Sequence, residues 1–190
     1  MVYATITEPI TILILNFLTN FFIFFGTIFL LIANLIILES TLIYSIKRQN
    51  KFILFYGILL FTGMLLLVIL GIFFDNPSSP FLGVKIIGVV PKWGPIFFTY
   101  IISIVTVFTL IPINYTNFKI FFRFETIALK RKWFYHLVGF LGITVIFYLS
   151  CIFNILDPGH PLKLIIILLH MSLIIWGYLM YYGIGIKFKD

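Results

Sequence analysis

Long, unbroken apolar runs constrain this chain more than any other feature. The stretch from Ile10 to Ile46 holds a single charged residue, Glu39, and four further apolar runs follow it. A helix needs about 20 apolar residues to cross a bilayer. A membrane β-barrel would instead need segments of about 10 residues that alternate between polar and apolar. With 62% hydrophobic and 10% charged residues, the chain is also too apolar for a soluble domain. The predicted fold class is therefore an all-α integral membrane protein.

The runs predict one domain, residues 1–190, folded as a bundle of five transmembrane helices. The predicted spans are about 10–46, 52–74, 95–113, 134–156 and 162–182. The first is longer than a bilayer requires, so it must tilt or extend beyond the membrane. The first ten residues lack the basic segment of a secretory signal peptide, which favours a span at this position.

The basic residues predict the orientation of the bundle. Ten of them fall on one side of the predicted topology: Lys47, Arg48, Lys51, Lys119, Arg123, Lys130, Arg131, Lys132, Lys187 and Lys189. Only Lys85, Lys92 and Lys163 fall on the other side. Since cytoplasmic loops are enriched in Lys and Arg, the N-terminus is expected outside and the C-terminus inside. The expected location is a prokaryotic cell membrane or an organellar inner membrane. We expect Trp93 and Trp133 at the headgroup level.

Residues 114–133, on the predicted inner side, have the pattern of an amphipathic surface helix. Lys119, Arg123 and Lys130 form a basic stripe opposite several phenylalanines. Such a stripe favours contact with anionic lipid headgroups. Pro112 is expected to separate this helix from the third span. The alternative is that the segment simply extends the third span.

The longest predicted outer loop runs from Asp75 to Gly94. Its centre, FLGVKIIGVV, is too apolar for a free loop. We expect it to lie on the bilayer surface or to fold back against the bundle. A re-entrant pore segment is the less favoured alternative, because its open backbone would need protein or water around it.

The first span carries two neighbouring stripes with a seven-residue period. Small residues occur at Thr19, Gly26, Ala33 and Ser40, and more polar ones at Asn20, Thr27, Asn34 and Thr41, with Asn16 one turn before Asn20. Small residues permit close helix approach, and asparagines form hydrogen bonds between helices. A strict seven-residue repeat favours a left-handed crossing. The first interpretation is a packing seam, and the alternative is a polar path that lines a cavity.

Several other polar residues within the spans are candidate functional positions. Thr99, Ser103 and Thr106 share one face of the third span. Glu39 is an acid inside the first span, and it must either pair with another helix or lie near the headgroups. His170 lies well inside the fifth span, where its nitrogens need partners. We expect an Asn, Ser or Thr on another helix to bond it, and a proton-relay role is the alternative.

No sequence motif indicates catalysis. The chain lacks the GxSxG, P-loop and dinucleotide glycine patterns, and the single Cys151 excludes an internal disulfide. We expect no cofactor, no metal site and no nucleic-acid partner. The predicted function is a structural or interaction subunit of a larger membrane assembly, with other membrane subunits or a second copy as partners. The main alternative is a small-solute or proton transporter or channel. A lipid-processing enzyme is less favoured, because Asp157 and Glu39 fall near opposite faces of the membrane.

Overall fold

A computed structural model describes residues 8–43, 45–76, 79–87, 90–157 and 159–184, without the side chains of residues 40–43 and 184. In chain order the elements are α1 (Pro9–Ile43), α2 (Ile46–Phe74), β1 (Val84–Ile87), β2 (Val90–Trp93), α3 (Pro95–Val105), a π-helix (Thr106–Leu110), α4 (Ile111–Arg123), α5 (Ile127–Ile155), α6 (Leu162–His170) and α7 (Leu173–Ile184). Within this part of the chain, five helical stretches are long and apolar enough to cross a membrane. The predicted helical class and the number of spans are confirmed at that level.

Two helices begin earlier than the hydropathy pattern predicts. Helix α2 starts at Ile46 rather than near residue 52, and α5 starts at Ile127 rather than near residue 134. Lys and Arg are good helix formers, and their long side chains can reach water from the first turns of a helix. The basic residues at the start of these two helices therefore lie in the first helical turns of α2 and α5 and not in the loops before them. We call this end of the bundle the basic end, and the opposite one the hairpin end.

The third span does not stop at Pro112, contrary to the prediction from sequence. Residues Pro95–Arg123 form one continuous helical stretch, in which the π-helical turn Thr106–Leu110 directly precedes α4. Proline removes a backbone donor and crowds the preceding turn. A widened π turn relieves this crowding within a helix. Thr116 also donates a hydrogen bond to the Pro112 carbonyl at 2.9 Å, and the helix continues.

The predicted amphipathic helix over residues 114–133 does not form as a single element. Helix α4 ends at Arg123, Phe124 is extended, and Thr126 precedes the new helix α5. The first half of the segment thus extends the third span, as in the alternative interpretation. Its second half forms the first turns of α5.

The apolar loop between α2 and α3 folds into a β-hairpin that packs back against the bundle. Strands β1 and β2 are antiparallel, with Val84 opposite Trp93. The Asp75 carboxylate anchors the hairpin by accepting hydrogen bonds from the backbone N–H groups of Leu82 (2.8 Å) and Gly83 (2.9 Å). Because the strands pair with each other, most of their backbone groups are satisfied next to apolar helices.

The core lies between α1, α2, α3 and α5, and the hairpin covers it at one end. Its fully buried side chains include Tyr56, Leu60, Met64, Phe97 and Ile101. Trp93 and Trp133 are also buried, with 1% and 3% of their surface exposed. Both side chains therefore pack inside the bundle, and their expected position at the headgroup level stays a prediction. Trp93 packs edge-to-face against Phe24 and Phe97, and Trp133 donates a hydrogen bond to the Asn117 carbonyl.

The fifth span packs against α5 at one side of the bundle. Three glycines bring α5 and α7 together, because a Cβ atom on Gly139, Gly142 or Gly183 would lie within 3.0 Å of the facing helix. At the break between α6 and α7, the Ser172 hydroxyl contacts the Leu169 carbonyl and accepts a hydrogen bond from Trp176 Nε1 at 2.9 Å. Most of the surface of the fifth span remains open, including Tyr178 and Tyr181.

Candidate functional site

The polar residues of α1 bond to the third span at the basic end. Asn34 Nδ2 donates to Asn117 Oδ1 at 3.0 Å and lies 3.3 Å from the Thr116 hydroxyl. All three side chains are buried. The two helices are thus joined by side-chain hydrogen bonds, as expected of a packing seam.

A second polar group lies near the middle of the bundle. The hydroxyls of Thr27 and Thr109 are 3.0 Å apart, and Tyr56 donates to the Phe24 carbonyl at 3.1 Å. On another side of the third span, the hydroxyls of Thr106 and Tyr148 are 2.7 Å apart. These groups satisfy one another within the protein.

His170 bonds to a serine on another helix, which confirms the expected kind of partner. Its Nε2 lies 2.7 Å from the Ser150 hydroxyl, and its Nδ1 lies 2.6 Å from the Ile166 carbonyl. A carbonyl oxygen can only accept, so Nδ1 donates to Ile166. The Ser150 hydroxyl also donates to the Ile146 carbonyl of its own helix at 2.8 Å. The His170 side chain therefore links α6 to α5.

The remaining candidates do not complete a common path. Asn16 is buried, and its carbonyl accepts a hydrogen bond from Asn20 at 2.7 Å. Thr99 and Ser103 are exposed on the outer surface of the bundle, and the Thr99 hydroxyl bonds to the Pro95 carbonyl. Among the described candidates, Asn20 and His170 line one cleft, whereas Asn34 and Thr106 bond to side chains on other helices.

Glu39 lies close to the basic end of α1. Its carboxylate is 4.0 Å from the Arg48 guanidinium on α2, and its side chain is 34% exposed. The structure thus shows the expected contact with another helix, and the position of this acid near the headgroups stays a prediction. A partly solvated ion pair of this kind requires no functional explanation.

The three candidate lipid contacts lie at the basic end on two different helices. Lys119 and Arg123 belong to α4, and Lys130 belongs to α5. The Arg123 guanidinium donates to the Leu38 carbonyl, so part of its hydrogen-bonding capacity is used within the bundle. Lys119 is exposed and lies 6.0 Å from the centre of the Tyr115 ring.

An open cleft of about 420 Å³ lies toward the hairpin end, between α1 and α6. Helix α5 forms its floor, and β2 contributes Trp93. The cleft walls are mainly apolar, and its polar residues are Asn20, Ser150, Asn154 and His170. The indole Nε1 of Trp93 is buried and meets no acceptor among the described residues. The cleft thus combines an apolar body with a few polar groups, which is typical of a small-molecule site.

The predicted candidate positions include Asn20 and His170, whereas Ser150 and Asn154 are predicted only to share one face of the fourth span. The residue type of Trp93 and its position next to a loop predict that it lies at the membrane interface. Only the hairpin brings it into the bundle. Asn154 and Ser150 lie one turn apart on α5, and the Asn154 amide donates to the Ser150 carbonyl at 3.0 Å. Their spacing was visible in the sequence, but nothing in it showed that α6 would bring His170 to them.

The two stripes of α1 face different surroundings. Asn16, Asn20 and Asn34 are buried in the bundle. In contrast, Thr19, Gly26 and Ala33 are exposed, and a Cβ on Gly26 would meet no atom within 4 Å. Ser40 and Thr41 lie outside the described side chains. The small-residue stripe is therefore not used for packing between the helices described here.

An ion pair ties the hairpin to the turn between α5 and α6. Lys92 Nζ lies 2.5 Å from Asp157 Oδ1, and this bond and the charge of Lys92 lower the pKa of the Asp157 carboxyl. Since the folded-state pKa is lowered, the stabilisation is present at neutral pH. It is lost as the pH falls from about 4, the ordinary Asp value, through the lowered pKa.

Asp157→Asn is expected to lower the melting temperature slightly at pH 7, on the order of 1 °C, because the ion pair is exposed. The wild-type protein should lose the same advantage in strongly acidic buffer. Thermal unfolding of both proteins across this pH range measures the difference. A difference that persists unchanged well below the lowered pKa would contradict this role.

Among the described residues, no group of three or more His, Cys, Asp or Glu side chains is arranged to hold a metal ion. Comparison of the chain with protein-family models, curated proteins and solved structures found no match.

Proposed function

We propose that the chain is a structural or interaction subunit of a larger membrane assembly, without catalysis of its own. The observation that carries this proposal is the exposed small-residue stripe of α1, formed by Thr19, Gly26 and Ala33. We call this surface the α1 seam. Its proposed occupant is a transmembrane helix of a partner protein.

The α1 seam has the pattern of a helix-packing surface. Each of its small residues is followed four positions later by a large, exposed aliphatic one, Ile23, Leu30 or Ile37. Small residues let two backbones approach, and alternating small and large residues with a seven-residue period fit a left-handed helix pair. Lipid chains would cover this surface whatever the spacing of its small and large residues. A partner helix would use both the small and the large positions.

The polar interior also supports a role in assembly over transport. A transport path would need the buried Asn, Thr and His side chains to face a common cavity. Asn34 and Thr106 instead bond to side chains on other helices, and such bonds hold helices together. Asn20 and His170 share a cleft, but its walls are mainly apolar.

The basic end would face the anionic leaflet of the membrane in this proposal. Lys119 is exposed on α4 and Lys130 is half-buried at the start of α5. Basic side chains at this position attract anionic headgroups. The lipid contacts would orient the subunit, and the α1 seam would select its partner.

The test is Gly26→Leu in the native membrane, compared with Gly177→Leu. A Cβ at either glycine meets no atom within 4 Å, so both variants should fold. Leucine at position 26 would fill the α1 seam and prevent close helix approach. We expect a partner protein to co-purify in stoichiometric amount with the wild type and with Gly177→Leu. The amount of this partner should fall at least tenfold with Gly26→Leu.

Self-association is the second outcome that the same experiment detects. If the seam-dependent partner is another copy of this chain, size analysis in lipid nanodiscs would show an oligomer that Gly26→Leu dissociates. A wild-type protein that is monomeric and has no seam-dependent partner would contradict the proposal.

A further inference from the structure

We propose that the cleft between α1 and α6 binds a carbonyl-bearing amphiphile from the bilayer, with its carbonyl oxygen at Trp93. The cleft of about 420 Å³ falls in the range of small-ligand sites, which is about 300–1,000 Å³. The cleft borders the α1 seam at Ile23, but its polar residues lie outside the seam, so the proposed binding does not need a partner helix.

The route into the cleft is lateral. Helix α6 packs on α5, and the cleft occupies the space between α6 and α1. Leu173 lines its mouth and remains 37% exposed. Since these helices belong to membrane-spanning stretches, a ligand that enters between them comes from the lipid phase. Such a ligand must be mainly apolar.

The walls of the cleft fit an apolar body. They include Ile23 and Phe24 from α1, and Ile143, Ile146 and Phe147 from α5. The lining of the cleft contains no Asp, Glu, Lys or Arg side chain. A charged headgroup would lose its hydration here without an ionic partner. The part of the ligand that enters the cleft is therefore uncharged.

The polar end of the ligand is defined by Trp93. Its indole Nε1 can only donate a hydrogen bond, it is buried, and no described residue accepts from it. A buried donor without a partner costs about 1–3 kcal/mol. The other two tryptophans differ, because Trp133 and Trp176 each donate to a protein oxygen at 2.9 Å. Trp93 lines the cleft, so an oxygen acceptor on a ligand that reaches its Nε1 would satisfy the one indole that the bundle leaves unsatisfied.

These features select a carbonyl oxygen attached to an apolar body. Two membrane compounds supply this chemistry: the acyl ester of a phospholipid and the ring of an isoprenoid quinone. In either case the carbonyl would lie at Trp93 and the apolar part would pass Leu173 toward the lipid.

The experiment is a titration of the purified protein by native mass spectrometry with three probes. The first is a diester phosphatidylcholine, the second is its diether analogue, which has no carbonyl, and the third is a decyl-substituted benzoquinone. We expect one carbonyl probe to bind in equimolar amount and more tightly than the diether lipid. Preference for the diester identifies a lipid ester as the ligand class, and preference for the quinone identifies a quinone.

Three variants assign the binding to the cleft. Trp93→Phe removes the donor and should weaken binding about three- to tenfold, as one hydrogen bond does. Leu173→Trp fills the mouth and should weaken it at least tenfold. Leu169→Trp is the matched control, because Leu169 is similarly exposed at 40% but lines a different groove of the fifth span. It should bind like the wild type.

The melting temperature of each variant is measured in parallel, so that loss of binding is separated from loss of folding. The proposal is overturned if neither carbonyl probe binds more tightly than the diether lipid. It is also overturned if Leu173→Trp and Leu169→Trp have the same effect on binding. Neither result depends on a partner protein, so failure here leaves the proposed assembly role standing.

Discussion

Gly83→Ala is expected to lower the free energy of unfolding by about 2–3 kcal/mol and to displace the hairpin. A Cβ at position 83 would lie 2.5 Å from the Leu67 carbonyl oxygen and 2.9 Å from Gly71 Cα. Both neighbours are backbone atoms of α2, which cannot rotate away as a side chain can. Overpacking of this kind costs about 1–3 kcal/mol. Unfolding by denaturing detergent, followed by tryptophan fluorescence, measures the change.

The matched control is Gly159→Ala, because a Cβ on Gly159 meets no atom within 4 Å. This variant should unfold like the wild type. Displacement of the hairpin should also shift the emission of Trp93, which belongs to β2 and is almost fully buried against the helices. If Gly83→Ala and Gly159→Ala were equally stable, the close contact between the hairpin and α2 would be wrong.

Gly139→Leu is expected to separate the fifth span from α5, with a loss of about 3 kcal/mol or more. A Cβ at Gly139 would lie 2.6 Å from the Trp176 carbonyl oxygen and 2.7 Å from the Met180 backbone nitrogen. A leucine side chain adds three more carbon atoms to this contact. The two helices would have to move apart along most of α7.

A crosslink between α5 and α7 measures that separation. The rings of Tyr135 and Tyr182 are 5.5 Å apart, so cysteines at these positions should react with a short bis-maleimide in a Cys151→Ala background. We expect the crosslink to be lost in Gly139→Leu and kept in Gly177→Leu, since Gly177 faces open space. An undiminished crosslink in Gly139→Leu would show that the glycines do not control this interface.

The helices of this chain could be predicted because their signal is local. A continuous apolar run must satisfy its backbone hydrogen bonds within itself in a membrane, so it forms a helix wherever it lies. The predicted helix ends are less accurate, because basic residues such as Lys47 and Arg48 can lie either in the first turn of a helix or in a loop. The predicted helix break at Pro112 is wrong for a related reason. Its effect on the helix depends on whether the preceding turn can widen, and the π turn at Thr106–Leu110 shows that it does.

The hairpin and the burial of Trp93 could not be predicted in the same way. Val84 pairs with Trp93, but the hairpin becomes favourable against apolar helices only because Gly71 and Gly83 allow the backbones to touch. The cleft then arises from three elements that are distant in sequence. Nothing is unusual in the local sequence around Ser150, His170 or Trp93. The Trp93 donor is left without a partner only when these elements come together in the fold.

The sequence by itself determined the helical class, the number of apolar spans and the kind of partner that His170 meets. These follow from hydropathy, helix period and the cost of an unsatisfied polar group. Only the tertiary structure decided which edge of α1 is buried. Both stripes repeat every seven residues, so the sequence period alone does not distinguish the buried stripe from the exposed one. At Asn34 the asparagine edge faces inward because Thr116 and Asn117 offer hydrogen-bond partners there, and the α1 seam is left on the outer surface.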